Sequence, residues 1–130
     1  MDRGPLVEMQ IDDGAKIVEA IREGGFDAPA AWWMKASEEG EWFLYIASRV
    51  VDDRGIAAAY RLAHSLIRPL GTLWVEWSDV KLVSPENPVA KDVLAIVAKY
   101  NDRMATRYGG KRLGNVSIDG AYIYPSPVKA

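Results

Sequence analysis

Ala31-Trp32-Trp33-Met34-Lys35-Ala36-Ser37-Glu38-Glu39-Gly40-Glu41-Trp42-Phe43-Leu44-Tyr45-Ile46-Ala47 is the stretch whose reading decides the fold. Two apolar runs flank the polar segment Ser37-Glu38-Glu39-Gly40, the pattern of two strands joined by a hairpin turn. The second run, taken as Trp42 through Val51, is apolar on both faces. Trp42, Leu44 and Ile46 lie on one side, and Phe43, Tyr45 and Ala47 on the other. Such a strand is covered on both sides, or it is central with a partner subunit on one face.

Working outward, Asp12-Asp13 marks a helix start ahead of the apolar stripe Ile17, Val18 and Ile21, and Gly24-Gly25 stops it. Beyond the hairpin, Asp52-Asp53-Arg54-Gly55 turns the chain into a second helix. Ile56, Ala59, Tyr60, Ala63, Ile67 and Leu70 recur there at helical spacing, up to Pro69 and Gly71. Leu73 to Trp77 and Val80 to Val83 read as short β segments. Asn87 and Pro88 open a third helix whose buried face is Val89, Val93, Ile96, Val97 and Tyr100. Val116-Ser117-Ile118 and Ala121-Tyr122-Ile123-Tyr124 flank Asp119-Gly120, a two-residue turn signal, and predict a closing hairpin. Pro125 and Pro127 stop its last strand.

The order α-β-β-α-β-α-β-β predicts an α+β fold, a mainly antiparallel sheet with three helices in a two-layer sandwich. One domain over 1–130 is expected, with its ordered core at about 6–125, a length that buries a core without disulfides.

The chain has no cysteine and a single histidine, His64. That removes cysteine–histidine zinc sites, thiol nucleophiles and iron–sulfur clusters, and no cofactor is expected. No GxxxxGK[ST] or GxGxxG motif is present. His64 shares a helix face with Tyr60 and Arg68 and is the one imidazole available as a base, although no serine or carboxylate is fixed to it by spacing. Asp52 or Asp53, together with Asp79 and Lys81, supply the residue types of a Mg²⁺-dependent phosphodiesterase or nuclease. A whole helix stands where that chemistry normally has a hairpin, and aspartates before a helix also serve as caps.

Charge is uneven. Residues 1–98 carry 10 lysines and arginines against 16 aspartates and glutamates, a net of −6, whereas residues 99–130 carry 6 against 2, a net of +4. The basic segment Arg103, Arg107, Lys111 and Arg112, interleaved with Tyr100 and Tyr108, is a candidate nucleic-acid surface. A solvated or intramolecular role suits it equally well. No run of ~20 apolar residues can span a membrane, and the N-terminus does not read as a secretory signal, so a cytoplasmic protein is expected.

The aromatic residues weigh most. Trp32, Trp33, Trp42, Trp74, Trp77, Tyr122 and Tyr124 all fall on expected strands, and neighbouring Trp32 and Trp33 must point to opposite faces. One sheet face packs under the helices, leaving Trp32, Trp42, Trp74 and Trp77 as candidate contact residues on the other.

Trp33, Trp42-x-Leu44-x-Ile46-Ala47-Ser48, Val51-Asp52-x-x-Gly55, Tyr60, Val80-x-Leu82-Val83-Ser84-Pro85 and Ile118-x-Gly120-Ala121-Tyr122-Ile123-Tyr124 resemble a group of small uncharacterised bacterial proteins. The likeness runs from about Asp13 to Tyr124. It implies a bacterial, cytoplasmic, single-domain protein and brings no catalytic residue with it, because that group carries no established activity. The surplus of rings on the expected strands, together with the absence of a catalytic cluster, leads to the expected function: a non-enzymatic protein-interaction module, a homodimer or a small accessory subunit of a bacterial assembly.

Overall fold

The computed structural model describes residues 6–99 and 105–127. The elements run α1 (Glu8–Glu23), β1 (Ala30–Ala36), β2 (Trp42–Ala47), α2 (Arg49–Arg54), α3 (Ile56–Ile67), β3 (Val80–Val83), α4 (Pro88–Lys99), β4 (Thr106–Tyr108), β5 (Arg112–Leu113) and β6 (Val116–Ile123). The sheet order is β3-β2-β1-β6-β4, with β5 paired to β6. Only β2 and β3 run parallel, joined by the α2–α3 crossover; the other pairings are antiparallel. The fold is the expected α+β, mainly antiparallel.

The helices lie on both faces of the sheet, one layer more than the expected two. The strand pattern explains this. Ala31, Trp33, Leu44 and Ile46 pack with Ile17, Val18 and Ile21 of α1 and Ala59, Ala63 and Ile67 of α3. Ala30, Trp32, Met34, Tyr45 and Ala47 pack with Val89, Ala90, Val93 and Val97 of α4. Trp32 and Trp33 are both 0% exposed. Each removes up to about 250 Å² from water, about 6 kcal/mol as an upper estimate.

Four local expectations change, each for a physical reason. The first helix starts at Glu8, because the Gln10 side chain reaches back to accept from the Val7 amide (3.2 Å). Asp13 therefore sits inside the helix and is buried. The second strand stops at Ala47, where Ser48 caps α2 by accepting from the Val50 amide (3.1 Å), so Asp52 and Asp53 lie within a short helix. Leu73 to Glu76 form a loop and Trp77–Asp79 a 3-10 turn, since amides here are taken by side chains: Trp74 donates to Asp13 and Glu76 to Asp79.

Asp119-Gly120 does not turn at all. It lies within β6 at a bulge, where the pairing on β1 slips between Lys35–Gly120 and Ala36–Ile118. The Ser37 hydroxyl holds Asp119 (2.8 Å), and the Trp42 ring lies over Gly120, where a Cβ would stand 2.9 Å from it. The tight turn is instead Gly114-Asn115, between β5 and β6. Tyr100 lies outside the described residues. Among the described residues no helix is long and apolar enough to cross a membrane.

Candidate docking site around Trp74

Trp74 is the most exposed large apolar side chain described, at 68%. Its loop is held firmly. Asp13, buried on the inward stripe of α1, accepts the Trp74 amide hydrogen. Val75 is buried in the core, and Leu73 and Trp77 pack against it. Residues 73, 75 and 77 thus point inward and force Trp74 outward, the alternation of an extended chain. Beside it, the first turn of α1 presents Val7 (46% exposed) and Met9 (52%). Val7, Glu8, Met9, Asp12 and Trp74 line one open concavity of about 510 Å³. Among the described residues, three of the five exposed large apolar side chains therefore meet at one place, with two carboxylates among them. Scattered exposed apolar residues need no explanation, but a rimmed cluster marks a contact surface.

The other candidate residues are dispersed. Trp32 is sealed inside the molecule and cannot be a surface contact. Trp42 is half-buried over Gly120. Trp77 is half-buried, edge-on to Tyr60 (5.8 Å) and tilted against His64 (4.9 Å). The Tyr60 hydroxyl accepts from the Leu82 amide (3.0 Å), which ties α3 to β3. His64 is thus an exposed ring laid on an indole.

The structure does not bring together the carboxylates named for metal-dependent cleavage. Asp52 accepts from the Ser84 hydroxyl (2.9 Å), just past the C-terminal end of β3, while Asp79 stands just before its N-terminal end. Five residues of strand rise separate them, about 16 Å, whereas shared ligands sit only ~2–2.5 Å from an ion. Asp53 is exposed on α2. Lys81 pairs with Glu39 (3.1 Å) and covers the Phe43 ring (4.0 Å). No cluster of three His, Asp or Glu side chains suited to a metal occurs among the described residues.

The basic segment is divided. Arg103 lies outside the described residues. Arg107, on β4, lays its guanidinium over the Tyr122 ring (5.2 Å). Lys111 and Arg112 are exposed, but Arg112 borders a concavity shared with Glu38 and Glu39, so an anion there meets two carboxylates.

A larger cleft, about 580 Å³, runs between the α1 stripe Val18, Glu19 and Arg22 and the segment Tyr124–Pro127. Arg22 braces it, donating from Nε to Ala28 O and from Nη1 to Pro125 O, both 3.0 Å, while Nη2 has no partner. Burial lowers the Arg22 pKa to about 10. Burial also raises the phenols of Tyr45, helped by the Glu39 carboxylate, and of Tyr124.

The signs oppose each other. Above pH 10 the unfolded chain releases tyrosine protons that the native state keeps, so stability falls as pH rises. Arg22, with its pKa depressed to about 10, loses its proton first in the native state and adds stability as the pH rises past that value. Two tyrosines outweigh one arginine. Urea midpoints should therefore decline above pH 10, and more steeply in Arg22→Met; a flat profile to pH 12 contradicts these burials.

No protein-family model matches the chain, and no curated protein or solved structure is significantly similar to it. The site itself was only partly visible in the sequence. Trp74 stood out, but Val7, Met9 and Asp13 did not. A usable signal was present, since Asp13 lies four residues before Ile17 on the buried stripe, where an aspartate requires a hydrogen-bond partner.

Proposed function

We propose that this chain is a non-enzymatic protein-binding module that docks a short segment of another protein, one apolar side chain flanked by lysine or arginine, on the Trp74 surface. The observation that carries the reading is an indole 68% exposed on a loop fastened by a buried carboxylate. Exposure with fixation gives contact area at low entropic cost. Size argues for a segment. Even with all of Trp74's ~250 Å² counted, the indole, Val7 and Met9 offer a few hundred Å², against ~800 Å² per partner in a stable interface. Charge argues for a basic one. Glu8 and Asp12 line the concavity, and a second copy across a two-fold axis would bring like carboxylates together.

The test uses two synthetic amphipathic peptides of about 14 residues, one of leucine and lysine, the other of leucine and glutamate. Calorimetry should give micromolar binding for the lysine peptide and at least tenfold weaker binding for the glutamate peptide. Trp74→Ala should weaken the first at least tenfold, about 1.4 kcal/mol, while leaving the urea midpoint unchanged. Equal binding by Trp74→Ala sinks the proposal. A dimer in sedimentation that Trp74→Ala dissociates would instead make a second copy the occupant and overturn the basic-segment assignment.

A further inference from the structure

Between the sheet and α4 lies a second cavity, of about 130 Å³, lined by Trp32, Met34, Ala36, Glu39, Tyr45, Val83, Asn87, Val89 and Val116. Its aromatic wall is flat: the Trp32 and Tyr45 rings stack at 5.5 Å with 10° between their planes. Several of its polar atoms have partners within the fold. The Tyr45 hydroxyl donates to Glu39 Oε1 (3.5 Å), and Glu39 Oε2 pairs with Lys81 (3.1 Å). Asn87 Oδ1 accepts from the Val89 amide (2.8 Å) and, more weakly, from Ala90 (3.4 Å). The Val83 carbonyl accepts from the Ser48 amide (2.9 Å). One buried group among the lining residues is left over. The indole N–H of Trp32, a residue 0% exposed, has no acceptor. A buried donor left unmade forfeits its full hydration, so an acceptor placed there gains what the fold gives up.

We propose that this cavity is a binding site for a small, flat, uncharged molecule with one hydrogen-bond acceptor, a single heteroaromatic ring, received by the Trp32 N–H. Size sets the upper limit, since an apolar cavity of ~150 Å³ accepts benzene. The missing acceptor sets the polarity. The buried polar atom lining the cavity that lacks a partner is a donor, so an acceptor is the group the site is short of, and the valines and Met34 disfavour an anion. Access needs little motion: half-exposed Val116 and the Glu39–Lys81 pair stand at the rim, side chains that already meet solvent.

The probe is pyridine at pH 7.5, compared with benzene of the same size. The chain has five tryptophans, so five indole N–H signals are expected in a ¹H–¹⁵N spectrum. The signal that Trp32→Phe removes is the reporter. Pyridine should move it downfield saturably, shift the Val89 and Val116 methyl signals, and bind at least tenfold more tightly than benzene. Trp32→Phe should reduce pyridine to the benzene level. Should that variant fail to fold, Val116→Phe, which fills the rim, should abolish the shift while leaving the peptide binding at Trp74 intact. An indole signal that pyridine leaves unmoved, or that shows a permanent bound-water contact pyridine does not displace, overturns the proposal. So does equal affinity for both rings.

Discussion

Replacing Gly14 by alanine is expected to destabilise the protein by about 3 kcal/mol, although the residue sits inside α1, where the same change ordinarily stabilises by about 1 kcal/mol. The reversal comes from what lies above it. The Trp33 indole donates to the Tyr124 hydroxyl (2.9 Å), which donates to the Ile11 carbonyl (2.6 Å). An added Cβ at Gly14 would meet the Tyr124 hydroxyl directly and stand 2.8 Å from Trp33 Nε1. Tyr124 lies at the end of β6, and its amide is held by the Ala31 carbonyl (3.0 Å), so the ring has little room to retreat. Overpacking costs about 1–3 kcal/mol, and each buried hydrogen bond broken adds about 1–3. Together these exceed the helix-propensity gain. In urea the midpoint should fall by more than 1 M at an unchanged slope. Tyr124→Phe, which removes the obstructing oxygen, should make the double variant less damaged than the two single losses added together. A Gly14→Ala protein as stable as the parent would mean that α1 does not approach the sheet this closely.

The second large effect is at Gly114. Its φ of +56° costs an alanine about 1–2 kcal/mol by itself. A Cβ there would also stand 2.6 Å from the Pro88 carbonyl carbon and 2.7 Å from the Val89 amide nitrogen, both backbone atoms of the first turn of α4. Backbone cannot step aside as a side chain can, so α4 must lift or the turn must open. Either movement strains the Gly114 amide's bond to Asp92 (2.6 Å). Gly114→Ala is expected to cost about 3 kcal/mol in all. Gly25→Ala is the control. Gly25, at the end of α1, has φ +83° with nothing within 4 Å of the added carbon, and the Phe26 amide bonds the Ile21 carbonyl as in a left-handed helix cap, so it should lose only the ~1–2 kcal/mol of strain. Equal losses at the two positions would show that the close approach contributes nothing. Because Val89 lines the cavity at Trp32, Gly114→Ala should also move the Trp32 indole signal, whereas Gly25→Ala should not.

These two glycines mark where sequence reading ended. Gly114-Asn115 is a weaker turn signal than Asp119-Gly120, yet it makes the turn. The difference lies in partners distant along the chain: Ser37 captures Asp119, and Trp42 needs the bare surface of Gly120. Leu73 to Trp77 alternates as a strand does and lacks only a neighbour to pair with. The Asp13 carboxylate takes the Trp74 amide instead, and the same contact turns an apparent strand residue into the most exposed indole described. Trp32 errs the other way. Its place on a strand suggested contact with a partner, but α4 covers that face.

The sequence by itself determined the class of the fold, the β1–β2 hairpin and the apolar character of both faces of the second strand, because period-two alternation and turn chemistry act between neighbours along the chain. It also determined which chemistries are closed, because missing side chains cannot be supplied by folding. Only the tertiary structure decided which indole faces water, which faces a cavity, and that Asp52 and Asp79 stand at opposite ends of one strand. Those outcomes depend on helices packing from both sides and on single hydrogen bonds between residues as much as 113 positions apart, and no local pattern encodes such contacts.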